Sequence, residues 1–97
     1  MKTLEEVKKT LKKHKEDVVR NYKVKEIGIF GSLVRGEQKK RSDIDILVEY
    51  SELPDLLKLI ELERHLQRLL KKKVDLVEKN GIRPELKDRI LREVVYI

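Results

Sequence analysis

The sequence predicts an α/β chain of the α+β kind, one domain over residues 1–97, ordered helix, strand, short turn, strand, helix, strand, helix. Three observations predict it. Apolar residues recur every three or four positions over 4–20 and 56–70, as on amphipathic helices. Apolar runs rich in β-branched residues over 24–30, 44–50 and 74–77 read as strands. A chain of 97 residues leaves no room for a second core.

Thr3 and Glu6 have capping-box spacing and start the first helix near Leu4. Its stripe of Leu4, Val7, Leu11, His14 and Val18 runs to about Arg20, and His14 is expected to pack its ring there rather than bind a metal. Val24 to Phe30 is the first strand, broken by Gly31-Ser32, and Leu33 to Gly36 reads as one helical turn closed by Gly36. Glu37 to Ser42 is a polar loop before the second strand, Ile44 to Tyr50. Pro54 can open the next helix, because its missing N–H is not needed in the first turn. That helix carries Leu56, Leu57, Leu59, Ile60, Leu62, Leu66, Leu69 and Leu70, an unusually broad apolar face. Val74 to Val77 is the third strand, Asn80-Gly81 a turn, and Pro84 opens a last helix bearing Leu86, Ile90, Leu91 and Val94.

The absence of cysteine excludes disulfides and thiolate metal sites. No apolar run approaches the roughly 18 residues of a membrane span, and nothing resembles a signal peptide, so a cytoplasmic protein without membrane contact is expected. Charged residues make up 43% of the chain and the net charge is +6. Acids and bases are interleaved, which suits a solvated surface first and attraction to phosphate second. Only Lys39-Lys40-Arg41 and Lys71-Lys72-Lys73 are unmixed basic runs. The scarce aromatics (Tyr22, Phe30, Tyr50 and Tyr96) offer little to stack nucleic-acid bases on.

Chemistry concentrates in 31–48. Asp43 and Asp45 stand two apart at the mouth of an apolar strand, so both carboxylates project to one face. Like charges that close repel unless a cation sits between them, and oxygen ligands of this kind suit Mg²⁺. Asp75 is a third acid in an apolar strand. If that strand lies beside the second, Asp75 comes within about 5–6 Å of an acid on its neighbour. Three converging carboxylates would then hold two metal ions. Each acid alone would be unremarkable at a strand end; the three together point to a metal site. Gly31 lets the backbone approach a phosphate closely, the following turn offers N–H groups, and Ser32 adds a hydroxyl. Arg35 is placed either to reach a phosphate or to pair with Glu37.

The stretch Gly31-Ser32-Leu33-Val34-Arg35-Gly36-Glu37, then Ser42-Asp43-Ile44-Asp45-Ile46-Leu47-Val48, resembles the signature of the DNA polymerase β-like nucleotidyltransferase superfamily, closest to its minimal nucleotidyltransferases. The resemblance implies a mixed, mainly antiparallel sheet with helices packed on one face. It implies that Gly31 and Ser32 hold the triphosphate of ATP, with Arg35 and Ser42 as further nucleotide-binding candidates. It also implies that Asp43, Asp45 and Asp75 are catalytic and bind two Mg²⁺ ions.

Minimal nucleotidyltransferases pair with HEPN-domain ribonucleases in toxin–antitoxin systems, so the likeness implies an antitoxin that attaches AMP to a tyrosine of its toxin. The broad leucine face suits such a partner, and suits a core equally. Two alternatives stay open: a stand-alone nucleotidyltransferase acting on RNA or a small-molecule hydroxyl, which the positive charge favours, and a binding module without turnover, which the intact acid set disfavours. Nucleic acid is the less favoured partner.

Overall fold

The computed structural model describes residues 2–97. The elements are α1 (Leu4–Tyr22), β1 (Val24–Phe30), α2 (Ser32–Arg35), β2 (Ile44–Tyr50), α3 (Leu56–Leu70), β3 (Val74–Glu78), a 3-10 turn (Lys79–Gly81), α4 (Pro84–Glu93) and β4 (Val95–Tyr96). Thr3 caps α1, its hydroxyl accepting the Glu6 N–H at 3.2 Å. The start of α3 corrects the expectation from Pro54. Asp55 is the cap, accepting the Lys58 N–H at 2.9 Å, and Pro54 lies outside the helix. α1 and α3 end on Lys23 and Lys71, both left-handed (φ 54° and 53°), a conformation that glycine more commonly supplies.

The sheet order is β3-β2-β1-β4. β1 runs antiparallel to both β2 and β4, while β2 and β3 are parallel, joined through α3. The sheet is therefore mixed and mainly antiparallel, as the resemblance implies. β4 was not expected. The last helix stops at Glu93 because Val94 is extended (φ −61°, ψ 135°), and Val95 and Tyr96 then pair with Ile29 and Gly28.

Alternation along the strands gives the sheet two faces. Ile27, Ile29, Ile44, Ile46, Val48 and Val74 face the main core with Val7, Leu11 and Val18 of α1 and Leu62, Leu66 and Leu70 of α3. Each fully buried leucine stabilises the fold by roughly 1.5–3 kcal/mol relative to exposure. One helix departs from the expected one-sided packing. Phe30 and Leu47 point to the opposite face and pack with Ile82 and with Ile90 of α4. The two long helices thus share one face, and α4 covers part of the other. The broad leucine face of α3 also divides: Leu62, Leu66 and Leu70 are buried, while Leu56, Leu57 and Ile60, with nearby Leu53, are exposed. Among the described residues no helix is long and apolar enough to cross a membrane.

Candidate active site

Gly31 ends β1 at φ 81°, ψ −154°, a conformation essentially confined to glycine. Its neighbour explains the requirement further: a Cβ here would collide with the Asp45 carboxylate. The carbonyl of Gly31 accepts the N–H groups of Val34 and Arg35 at 3.1 Å, closing the one-turn α2. The Ser32 and Leu33 amides lie in the first turn of α2, where N–H groups have no intrahelical partner.

The acids meet through register. Asp45 pairs with Phe30 across the antiparallel β1–β2 ladder and with Asp75 across the parallel β2–β3 ladder. Asp45 is half-buried, and its carboxyl is pushed up to about 6 by burial first, then by the negative charges of Asp75 and Asp43; Arg35 partly offsets them. Asp75 is exposed and Asp43 half-buried. Among the described residues, however, no three such side chains are gathered tightly enough to cage a metal ion. Asp75 and Asp43 nonetheless both lie close enough for their charge to act on Asp45. Asp45 and Asp75 line one cleft, and Asp43 acts on Asp45 from outside its lining. The donor set still fits Mg²⁺. The oxygens are hard, one anion is disfavoured by its acidic neighbours, and an open arrangement leaves positions for water and phosphate.

The cleft measures about 520 Å³ and lies on the α4 face. Gly31, Arg35, Asp45 and Asp75 reach it; Ser32, Ser42 and Asp43 do not line it. The Ser42 hydroxyl instead accepts the Lys39 N–H at 3.0 Å, holding the loop before β2. Arg35 is tied to Glu37 (3.0 Å) and to Glu93 (3.1 Å), so the Glu37 pair, one of the two readings of Arg35, forms and a second acid joins it. Glu93, Arg83 and Arg89 also line the cleft, over a floor that includes Phe30, Ile82 and Ile90. Sequence reasoning missed all three charged residues. Glu93 also accepts the Gly31 N–H at 2.6 Å. Its one local signal was an acid at the end of a helix, where the dipole favours bases.

Away from the cleft, the two unmixed basic runs come together: Lys40 and Lys71-Lys72 line a shared hollow with Lys2. The positive charge is thus less dispersed than the sequence suggested.

Residues 11–97 match the nucleotidyltransferase domain family. The protein adenylyltransferase MntA of Thermococcus cleftensis is 50% identical over 97 residues, covering 100% of this chain and 98% of that protein. A crystal structure of a toxin-antitoxin with AMP-PNP superposes with TM-score 0.70 at 28% identity, over 87% of this chain and 69% of that one. A solved structure of tri-AMPylated Shewanella oneidensis HEPN toxin in complex with MNT antitoxin gives TM-score 0.66 at 24% identity, over 93% and 70% of the chains, a likeness of fold. With that family model matched over most of its length and a full-length relative at 50% identity, the chain belongs to the nucleotidyltransferase domain family.

Proposed function

We propose that this protein transfers AMP from ATP to a tyrosine hydroxyl of a partner protein, a HEPN ribonuclease toxin, and so acts in the cytoplasm as its antitoxin. The observation that carries the reading is the parallel register that sets Asp45 beside Asp75, next to the Gly31 turn. Gly31 and Ser32 would hold the triphosphate, while Asp43, Asp45 and Asp75 would hold Mg²⁺. Bound Mg²⁺, as one ion or two, would make the attacking hydroxyl more acidic and neutralise phosphate charge. Asp75, the exposed acid, takes the hydroxyl proton. The hydroxyl oxygen bonds to the α-phosphorus, the bond from that phosphorus to the bridging oxygen breaks, and pyrophosphate leaves with the electron pair. Arg83 and Arg89, which line the cleft, give it positive charge for the nucleotide phosphates.

A protein acceptor is supported by the exposed Leu53, Leu56, Leu57 and Ile60, an apolar patch of the kind that marks protein contacts. The Thermococcus relative, named a protein adenylyltransferase, and the AMP-PNP toxin-antitoxin match support the same reading. The runner-up, transfer to an RNA end, draws on the convergence of Lys2, Lys40, Lys71 and Lys72. The test incubates the protein with labelled ATP, Mg²⁺ and either a purified HEPN toxin or total RNA, at two salt concentrations. Label on a toxin tyrosine, little altered by salt, is the expected result. Label on RNA alone, falling steeply with salt, overturns the antitoxin reading.

A further inference from the structure

We infer that Glu93 is a positioning residue for the phosphate-binding turn, an inference that rests on the reading of Gly31-Ser32 as that turn. Glu93 closes α4, and its side chain is only 13% exposed. One carboxylate oxygen accepts the Gly31 N–H at 2.6 Å, and both oxygens lie 3.1 Å from Nη1 of Arg35. The reason for the contact lies in the sheet edge. β4 pairs with β1 only at Gly28 and Ile29, so Gly31 lies beyond the end of its partner strand. The Glu93 carboxylate takes the place of the missing strand carbonyl and holds the Gly31 N–H from the side.

Electrostatics gives the arrangement its functional meaning. An acid beside Asp45 and near a triphosphate works against binding both the carboxylate and the anion, and Glu93 does add to the negative charge on Asp45. Arg35 neutralises it. The guanidinium is therefore the counter-charge to Glu93 and Glu37 rather than a free phosphate ligand, and the pair fixes α2 against the end of α4. Releasing a mostly buried carboxylate from three hydrogen bonds would leave it poorly compensated, so Glu93 stays in place while nucleotide binds. The turn is thereby held from outside the signature, by the C-terminal helix.

The test uses the full chain, with steady-state adenylyl transfer as the first readout. Glu93→Gln keeps the shape and an acceptor for Gly31 but leaves Glu37 as the one acid countering Arg35. Misalignment of the turn should lower kcat about ten- to a hundredfold. KM for ATP should stay level or fall, because the net charge facing the phosphates becomes more positive. Glu93→Asp should recover only part of the rate, and Arg35→Met combined with Glu93→Gln should be no slower than the slower single variant. An unchanged or raised kcat in Glu93→Gln would instead mark Glu93 as a removable occupant of the phosphate site and overturn the inference. So would equal losses in kcat and thermal stability that the double variant simply adds. A second readout needs no reaction: by NMR, Glu93→Ala should speed Gly31 amide exchange at least tenfold and leave the Ile97 amide, bonded to the Ile27 carbonyl at 2.9 Å, unchanged. Unaltered Gly31 exchange overturns the clamp. Failure of the wild-type chain to transfer AMP would count against the proposed function and leave the amide result standing.

Discussion

Replacing Asp45 by asparagine removes a charge that the fold holds at a disadvantage, and the size of that disadvantage follows from the site. The carboxyl is raised from 3.8 to about 6, chiefly by burial and then by Asp75 and Asp43. A shift of about 2 units at 1.36 kcal/mol each sets a ceiling near 3 kcal/mol. The group is only half-buried, so solvent screening brings the expected cost to about 1–1.5 kcal/mol. The direction follows from linkage. A carboxyl whose folded pKa lies above its unfolded value binds its proton more tightly when folded. Its stabilising contribution is full below about pH 4 and is lost as pH rises through about 6. In EDTA, Asp45→Asn should therefore match the wild type near pH 4 and exceed it by about 1–1.5 kcal/mol at pH 8. For a domain of this size that is roughly a 4–10 °C rise in Tm. Urea unfolding of both proteins at pH 4, 5, 6, 7 and 8 measures the difference, in which the titration of shared groups largely cancels. With Mg²⁺ and AMP-PNP present, the wild type should gain stability and the variant should not. A pH-independent difference, or a less stable variant at pH 8, would refute the charge crowding and the metal assignment built on it.

Other substitutions separate the parts of the site from those of the core. Gly31→Ala meets both a forbidden backbone conformation and the Asp45 carboxylate; it should cost at least about 1–3 kcal/mol in urea unfolding and abolish transfer. In the proposed site Ser32→Ala would remove one hydrogen bond to a charged phosphate, worth roughly 1.5–3 kcal/mol, so AMP-PNP affinity by calorimetry should fall about ten- to a hundredfold with the fold intact. Leu66→Ala, in the buried stripe of α3, should cost about 2–5 kcal/mol. Leu57→Ala, 72% exposed on the same helix, should change stability by less than about 0.5 kcal/mol while weakening a pull-down of the HEPN partner.

What the sequence disclosed depended on the range of each interaction. β1 and β2 were legible to the residue because apolar β-branched runs ended at Gly31 and Tyr50. The end of α1 was less legible, running past Arg20 to Tyr22, since a lysine rather than a glycine takes the left-handed terminal position. β4 could not be read from two residues, because its strand character comes from β1 beside it. Asp43, Asp45 and Asp75 stood out as acids in or at the mouth of apolar strands, yet which of them meet was conditional on strand order. One signal was available: the β2-α3-β3 sequence, with a 15-residue helix between strands, is the connection that parallel pairing requires.

Glu93 was beyond such reading, and the reason is physical. Its bond to Gly31 spans 62 residues and depends on where β4 stops, so no local pattern records it. The local facts even argued against a role, since an acid at a helix C-terminus opposes the dipole. An unfavourable local choice maintained by a short hydrogen bond and an arginine pair is better explained by the site than by the helix. In the function proposed above, the nucleotidyltransferase signature supplies the groups that face phosphate, and α4 supplies the contact that aims them. Local and tertiary preferences conflict at Glu93, and such conflicts tend to gather where a structure has work other than folding.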